Sequence, residues 1–81
     1  MEVRVRLYGA LGRYRPEGAP EAGPFPLELP EGATVAGVVE RLGAPASWVR
    51  SAFVNEEPSV KDRVLRPGDQ LALFPPAGGG M

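Results

Sequence analysis

The sequence contains no cysteine and no histidine. The first absence removes disulfide frameworks, thiolate nucleophiles and cysteine zinc sites, and the second removes the commonest metal ligand and the commonest general base. No metal site is expected. No apolar run approaches the roughly 20 residues that a membrane helix needs, so membrane association is not expected either. Charge of one sign is also lacking: nine Lys and Arg stand against ten Asp and Glu, for a formal net charge of -1, with the basic residues scattered among acids. Without a basic stripe, nucleic acid is not an expected partner. The chain has no GxxxxGK(S/T) phosphate loop, and Gly78 to Gly80 do not sit between a strand and a helix, so it carries no nucleotide site of its own. The opening MEVRVRLYGA lacks the basic-then-apolar order of a secretory signal, which makes the cytoplasm the expected compartment.

What is present is enough for one small soluble domain. At 81 residues with 43% apolar and 23% charged side chains, a modest core is affordable. Val3, Val5 and Leu7 alternate with Glu2, Arg4, Arg6 and Tyr8, the period-two signature of a strand over residues 2 to 8 with one face on a core. Residues 15 to 24, RPEGAPEAGP, have no apolar period and read as an exposed loop. FPLEL, residues 25 to 29, alternates Phe25, Leu27 and Leu29 against Pro26 and Glu28. Its proline confines it to a sheet edge or to a position where the missing N–H is not needed, and it is expected to pair as a hairpin with the first strand.

A turn at Pro30 to Gly32 then leads to Thr34 as N-cap. Val35, Val38, Val39 and Leu42 follow at helical spacing, with Gly43 as the stop. Gly37 inside this helix suggests a close approach to the sheet. APASWVR is ambiguous, with Trp48 and Val49 on a short helical turn that caps the core. SAFVNEEPSV reads as a strand, a turn at Asn55 to Glu57 and a brief return, although Asn-Glu is a poorer hairpin signal than Asn-Gly. LRPGDQLALFPP supplies a Pro-Gly-Asp turn, in which Gly68 and Asp69 serve the turn alone, and a last strand with Leu71 and Leu73 on one face and Ala72 and Phe74 on the other. One helix across a small mixed sheet, with the last strand returning beside the first, is an α+β roll of the β-grasp kind. The expected organisation is a domain over residues 1 to 76 and a flexible Gly-rich tail over residues 77 to 81.

That tail is the most unusual feature. Pro75 and Pro76 favour extended geometry and project the chain away from the sheet, and Ala77 to Gly80 form a thread with almost no side chains. Seven residues after Phe74 reach on the order of 20 Å. Such a thread suits delivery of a terminal carboxylate into a narrow active site belonging to another protein, where any Cβ would clash. Strand parity adds a second feature: Tyr8 and Phe74 both take the outward phase, so neighbouring first and last strands would place an exposed aromatic pair beside Arg4 and Arg6.

On these residues the chain resembles the small subunit of molybdopterin synthase and the related MoaD- and ThiS-like sulfur carriers. LRPGDQLALFPPAGGG is similar to the family's ending, VRVRLYGAL to its first strand, LPEGATVAGVVERL to its turn and helix, and AFVNEEPSV to its hairpin. The resemblance implies a ubiquitin-like β-grasp fold and a non-catalytic carrier. Its C-terminal glycine would be adenylated by a ubiquitin-activating-type enzyme of the MoaB, MoeB or ThiF kind, which uses ATP, and then converted to a thiocarboxylate. The sulfur would pass to a pyranopterin precursor held by a larger, MoaE-like subunit.

Gly79 and Gly80 fall on the family's terminal pair, with Gly80 as the reactive residue, and Tyr8 and Phe74 on aromatics that contact the partners, flanked here by Arg6, Pro75 and Pro76. A ThiS-like carrier for thiamin or tRNA thiolation, protein conjugation, or a β-grasp interaction module with an idle tail are the competing expectations. Three positions depart from the pattern: Gly12 and Arg13 stand where Arg-Glu is frequent, Glu56 replaces the hairpin glycine, and Met81 follows Gly80. With Met81 attached the terminal carboxylate belongs to methionine, so a carrier must first lose one residue.

Overall fold

The computed structural model describes residues 1–76. The alternating segments form a five-stranded sheet from β1 (Glu2–Leu7), β2 (Phe25–Glu28), β3 (Ser51–Val54), β4 (Glu57–Ser59) and β5 (Gln70–Phe74). Their order across the sheet is β2-β1-β5-β3-β4. The first and last strands lie side by side in parallel, in the register Arg4↔Gln70 to Leu7↔Leu73, and the remaining neighbours are antiparallel. One helix, α1 (Val35–Leu42), covers one face. Such a mixed sheet with a parallel central pair and a single covering helix is the β-grasp arrangement.

The strands β1, β5 and β3 each send alternate residues into the core. Val3, Val5 and Leu7 of β1, Leu71 and Leu73 of β5, and Ala52 and Val54 of β3 are all buried, and Val35, Val38 and Val39 of α1 close over them. The helix begins where Thr34 Oγ1 accepts a hydrogen bond from the Gly37 amide (3.1 Å). It ends with Gly43 at φ +81°, where the amides of Gly43 and Ala44 return to the carbonyls of Glu40 and Val39. Pro26 sits opposite Arg4 on the edge strand β2. Leu29 N–H donates to the Met1 carbonyl, which fixes the alternation so that the Pro26 nitrogen faces away from β1 and costs the ladder nothing.

Several local expectations need correction. The first strand ends at Leu7, and Tyr8 is the entry to a 3-10 helix over Gly9–Tyr14 that no apolar period announces. The cause is tertiary, since this turn drives Leu11 to 0% exposure in the core. β2 stops at Glu28. Gly37 does not bring the helix close to the sheet: a Cβ there would meet only Thr34 Oγ1, at an ordinary 3.5 Å. The short turn Ala46–Trp48 is present, but Val49 plugs the core while Trp48 stays 36% exposed, edge-on to Tyr14 at 6.2 Å. Lys61 ties this turn down through Nζ, which donates to the Val49 carbonyl (2.7 Å).

The β3–β4 hairpin turns on two residues, Asn55 and Glu56, because Val54 pairs with Glu57. Both take left-handed φ, +52° and +72°. A two-residue turn matched to strand twist demands this of both positions, and Glu56 supplies it without being glycine. Asn55 is held by bonds from outside the hairpin: its Nδ2 donates to Asp69 Oδ1 (2.9 Å) and its Oδ1 accepts from the Gln70 amide (2.9 Å). Asp69 therefore does more than close its own turn, where Oδ2 accepts from the Arg66 amide (2.8 Å). Burial alone would raise the Asp69 pKa, but those two hydrogen bonds, with the charges of Arg63 and Arg66, lower it overall.

Candidate functional site

The face of the sheet opposite α1 has no covering layer among the described residues. Its chemistry follows from strand parity, because the residues between the buried ones on β1, β5 and β3 all project to this side. Arg4 and Arg6 come from β1, Gln70, Ala72 and Phe74 from β5, and Phe53 from β3. The parallel register continues one step beyond Leu7↔Leu73, so Tyr8 and Phe74 meet with ring centroids 4.3 Å apart and planes within 5°. The predicted aromatic pair is thus formed. Tyr8 is 36% exposed, enough to present a ring face to solvent or to another protein.

Phe53 completes the group and was not anticipated as part of it. Its ring stands edge-on to Phe74 at 5.4 Å and 75°, the favourable alternative to stacking. The signal was available, since Ala52 and Val54 must point to the core and Phe53 between them must point out. The three aromatics, with Arg4, Arg6 and Glu56, line a shallow groove of about 490 Å³. The basic residues form one side. Glu56, carried by its left-handed turn residue, supplies an acidic group, and it forms no ion pair among the described residues.

The groove adjoins the point where the chain leaves the sheet. Tyr8 N–H donates to the Leu73 carbonyl (3.1 Å), and on the other flank Arg50 N–H donates to the Phe74 carbonyl (2.8 Å). β5 is therefore secured on both sides up to its last residue. Pro75 follows half-buried and Pro76 exposed. Arg6, Tyr8, Phe74 and Pro75 thus gather in one region, with Pro76 next in the chain. Gly79 and Gly80, and Met81 after them, lie outside the described residues. Among the described residues no three Cys, Asp or Glu side chains converge on a possible metal position, and no helix is long and apolar enough to cross a membrane.

Comparison with known proteins bears on this arrangement. The model of the ThiS family matches residues 19–80, more than three-quarters of the chain and including the tail as far as Gly80. The chain belongs to the ThiS family. A search of curated proteins gave no match. Among solved structures, SAMP1 from Haloferax volcanii aligns with a TM-score of 0.69 at 23% identity, covering 99% of this chain and 100% of that one. A second structure of the same organism's small archaeal modifier protein 1 gives 0.69 at 19% identity, covering 94% and 98%. A Pyrococcus furiosus protein described as a candidate molybdopterin converting factor, subunit 1, gives 0.68 at 21% identity, again covering 94% and 98%. At these identities the structural matches establish the ubiquitin-like β-grasp fold, and the family match places the chain among the sulfur carriers of the ThiS family.

Proposed function

We propose that this member of the ThiS family carries sulfur on Gly80 and acts as the small, non-catalytic partner of a molybdopterin synthase-like sulfurtransferase. After removal of Met81, the Gly80 carboxylate attacks the α-phosphate of ATP in the site of a separate adenylating enzyme, releasing pyrophosphate. A sulfur nucleophile then displaces AMP from the acyl-adenylate and leaves a thiocarboxylate. The chain has no side chains suited to catalyse either step, having neither Cys nor His nor a phosphate loop. Its contribution is to dock and to present a thread.

The observation that carries this reading is the Tyr8–Phe74 stack, set beside Arg6 and directly before Pro75 and Pro76. An apolar anchor with a charged border suits a protein partner, because aromatic and arginine side chains dominate such contacts. Its position at the root of the tail means that one docking event both holds the domain and delivers the terminus. Two partners are proposed for the same face: the adenylating enzyme first, and then a larger MoaE-like subunit that holds the pterin.

A second reading has its own support. Two of the aligned structures are of an archaeal small modifier protein, with coverage of 99% and 94% of this chain. The same activated glycine could then pass to an amine of a target protein in place of sulfur chemistry. Incubation of the chain ending at Gly80 with a MoeB- or ThiF-like enzyme and ATP, with a sulfur source or with a lysine-bearing acceptor protein, separates the two. The carrier gains the oxygen-to-sulfur mass shift at its C-terminus, whereas a modifier appears in a covalent adduct. A chain ending at Gly80 that forms no adenylate is neither.

A further inference from the structure

Gly9 follows Tyr8 with φ at +57°, in the left-handed region, and a Cβ built on it would stand 2.8 Å from Pro75 Cγ and 3.6 Å from Pro75 Cδ. The proline ring therefore rests against the bare Cα of Gly9. This contact falls where hydrogen bonding stops: Leu73 and Phe74 are still tied by Tyr8 N–H and Arg50 N–H, but Pro75 has no N–H to offer either neighbour. Only packing locates it. Because its φ is fixed and a second proline succeeds it, any turn of the Pro75 ring is passed on to Pro76 as a change of direction and is not absorbed by a soft dihedral.

We propose that Gly9 is a positioning residue for the C-terminal chemistry: it is the seat of the Pro75 ring and sets the direction in which the chain leaves the sheet. The inference rests on the carrier reading above and adds to it a residue on a different strand connection, outside the groove and outside the tail. The Tyr8–Phe74 stack holds the domain on its partner, and the Gly9–Pro75 contact aims the chain beyond Pro75. Once the domain is docked, entry of the tail into the partner's cleft is a separate step, and a fixed chain root at Pro75 favours it, so the effect is read in the rate of the docked complex.

The test is the rate of ATP–pyrophosphate exchange by the source organism's MoeB- or ThiF-like enzyme, with the full chain and the same chain ending at Gly80 as substrates. Gly9→Ala, in the chain ending at Gly80, is expected to lower kcat about tenfold while KM, set by Tyr8, Phe74 and Arg6, stays within about twofold. Pro75→Ala removes Cγ and leaves only the Cβ, which in the proline lies at a comfortable 4.0 Å from the added Gly9 Cβ. Once that clash is gone, Gly9→Ala should lower kcat no further in the Pro75→Ala background. A purely conformational cost of alanine at φ +57° would instead lower stability equally in both backgrounds and leave kcat unmoved. Additive losses, or a rise in KM with kcat unchanged, overturn the seat.

A NOESY cross-peak between Gly9 Hα and the Pro75 ring protons gives a second readout that needs no enzyme. Its presence supports the contact, and its absence with exchange intact overturns the seat alone. A present cross-peak with no exchange from either unsubstituted chain overturns the carrier reading, and the proposed role falls with it.

Discussion

The rings of Tyr8 and Phe74 lie parallel, 4.3 Å apart, across the join between the first and last strands. They are 66 positions apart in sequence, by subtraction of the two residue numbers, and are brought together by the parallel register that sets Leu7 against Leu73. A double-mutant cycle with Tyr8→Ala and Phe74→Ala should give a coupling of about 0.5–1.5 kcal/mol in urea unfolding. In partner binding, Tyr8→Asp or Phe74→Asp should raise the Kd for the adenylating enzyme at least about tenfold with the fold retained by circular dichroism. Unchanged binding would remove the docking role from this face.

Glu56 holds φ +72° in a two-residue turn where glycine would fit without strain. Glu56→Gly should therefore be neutral to stabilising, by up to about 1 kcal/mol, because relief of left-handed strain outweighs the larger entropy loss of glycine. If the carboxylate contributes to the groove, the same substitution should weaken partner binding while stability rises. Chemical unfolding and binding measured on one preparation separate the two effects, and a fall in stability would contradict the strain argument.

Asp69 links two turns through the Asn55 side chain and the Arg66 amide. Its pKa is lower in the folded chain than the ordinary 3.8, so its contribution to stability is present above that value and is lost as pH falls through the lowered one. Asp69→Asn should cost roughly 1–3 kcal/mol at neutral pH, the range for hydrogen bonds to a charged, buried acceptor. As the pH falls below the ordinary 3.8 and through the lowered value, the difference from the unsubstituted chain should shrink, as urea titrations at several pH values would show. A difference that stays constant with pH would mean that the ionised form is not what holds the turns.

Leu11 is fully buried although it lies in a short 3-10 helix between two glycines. Leu11→Ala should lower stability by about 2–5 kcal/mol, comparable to a central strand residue, and a loss below about 1 kcal/mol would show that the turn is not part of the core.

What the sequence made legible came from its periods. β1 and β5 were clear because Val3, Val5 and Leu7, and Leu71 and Leu73, alternate with outward residues, and α1 because Thr34 and Gly43 bracket a stripe of valines. The same parity puts Tyr8 and Phe74 side by side on the outward face. The 3-10 helix was invisible because GALGRY has one large aliphatic residue and no repeat, so its form depends on the pocket that receives Leu11. The tight Asn55–Glu56 turn was obscured for a related reason: Glu56 is a poor turn former, and Asn55 is held by Asp69 and Gln70, some 15 residues along the chain. The seat under Pro75 was hidden too, since nothing near Gly9 in sequence shows what it packs against.

Whether Gly80 is the acyl donor is read from the mass of the C-terminal peptide of protein isolated from its own cells. The expected peptide lacks Met81, a fraction of it carries sulfur in place of one oxygen on Gly80, and that fraction is lost when the adenylating enzyme is deleted. A peptide that retains Met81 throughout, with no sulfur-bearing form in the presence of the enzyme, would contradict a donor role for Gly80.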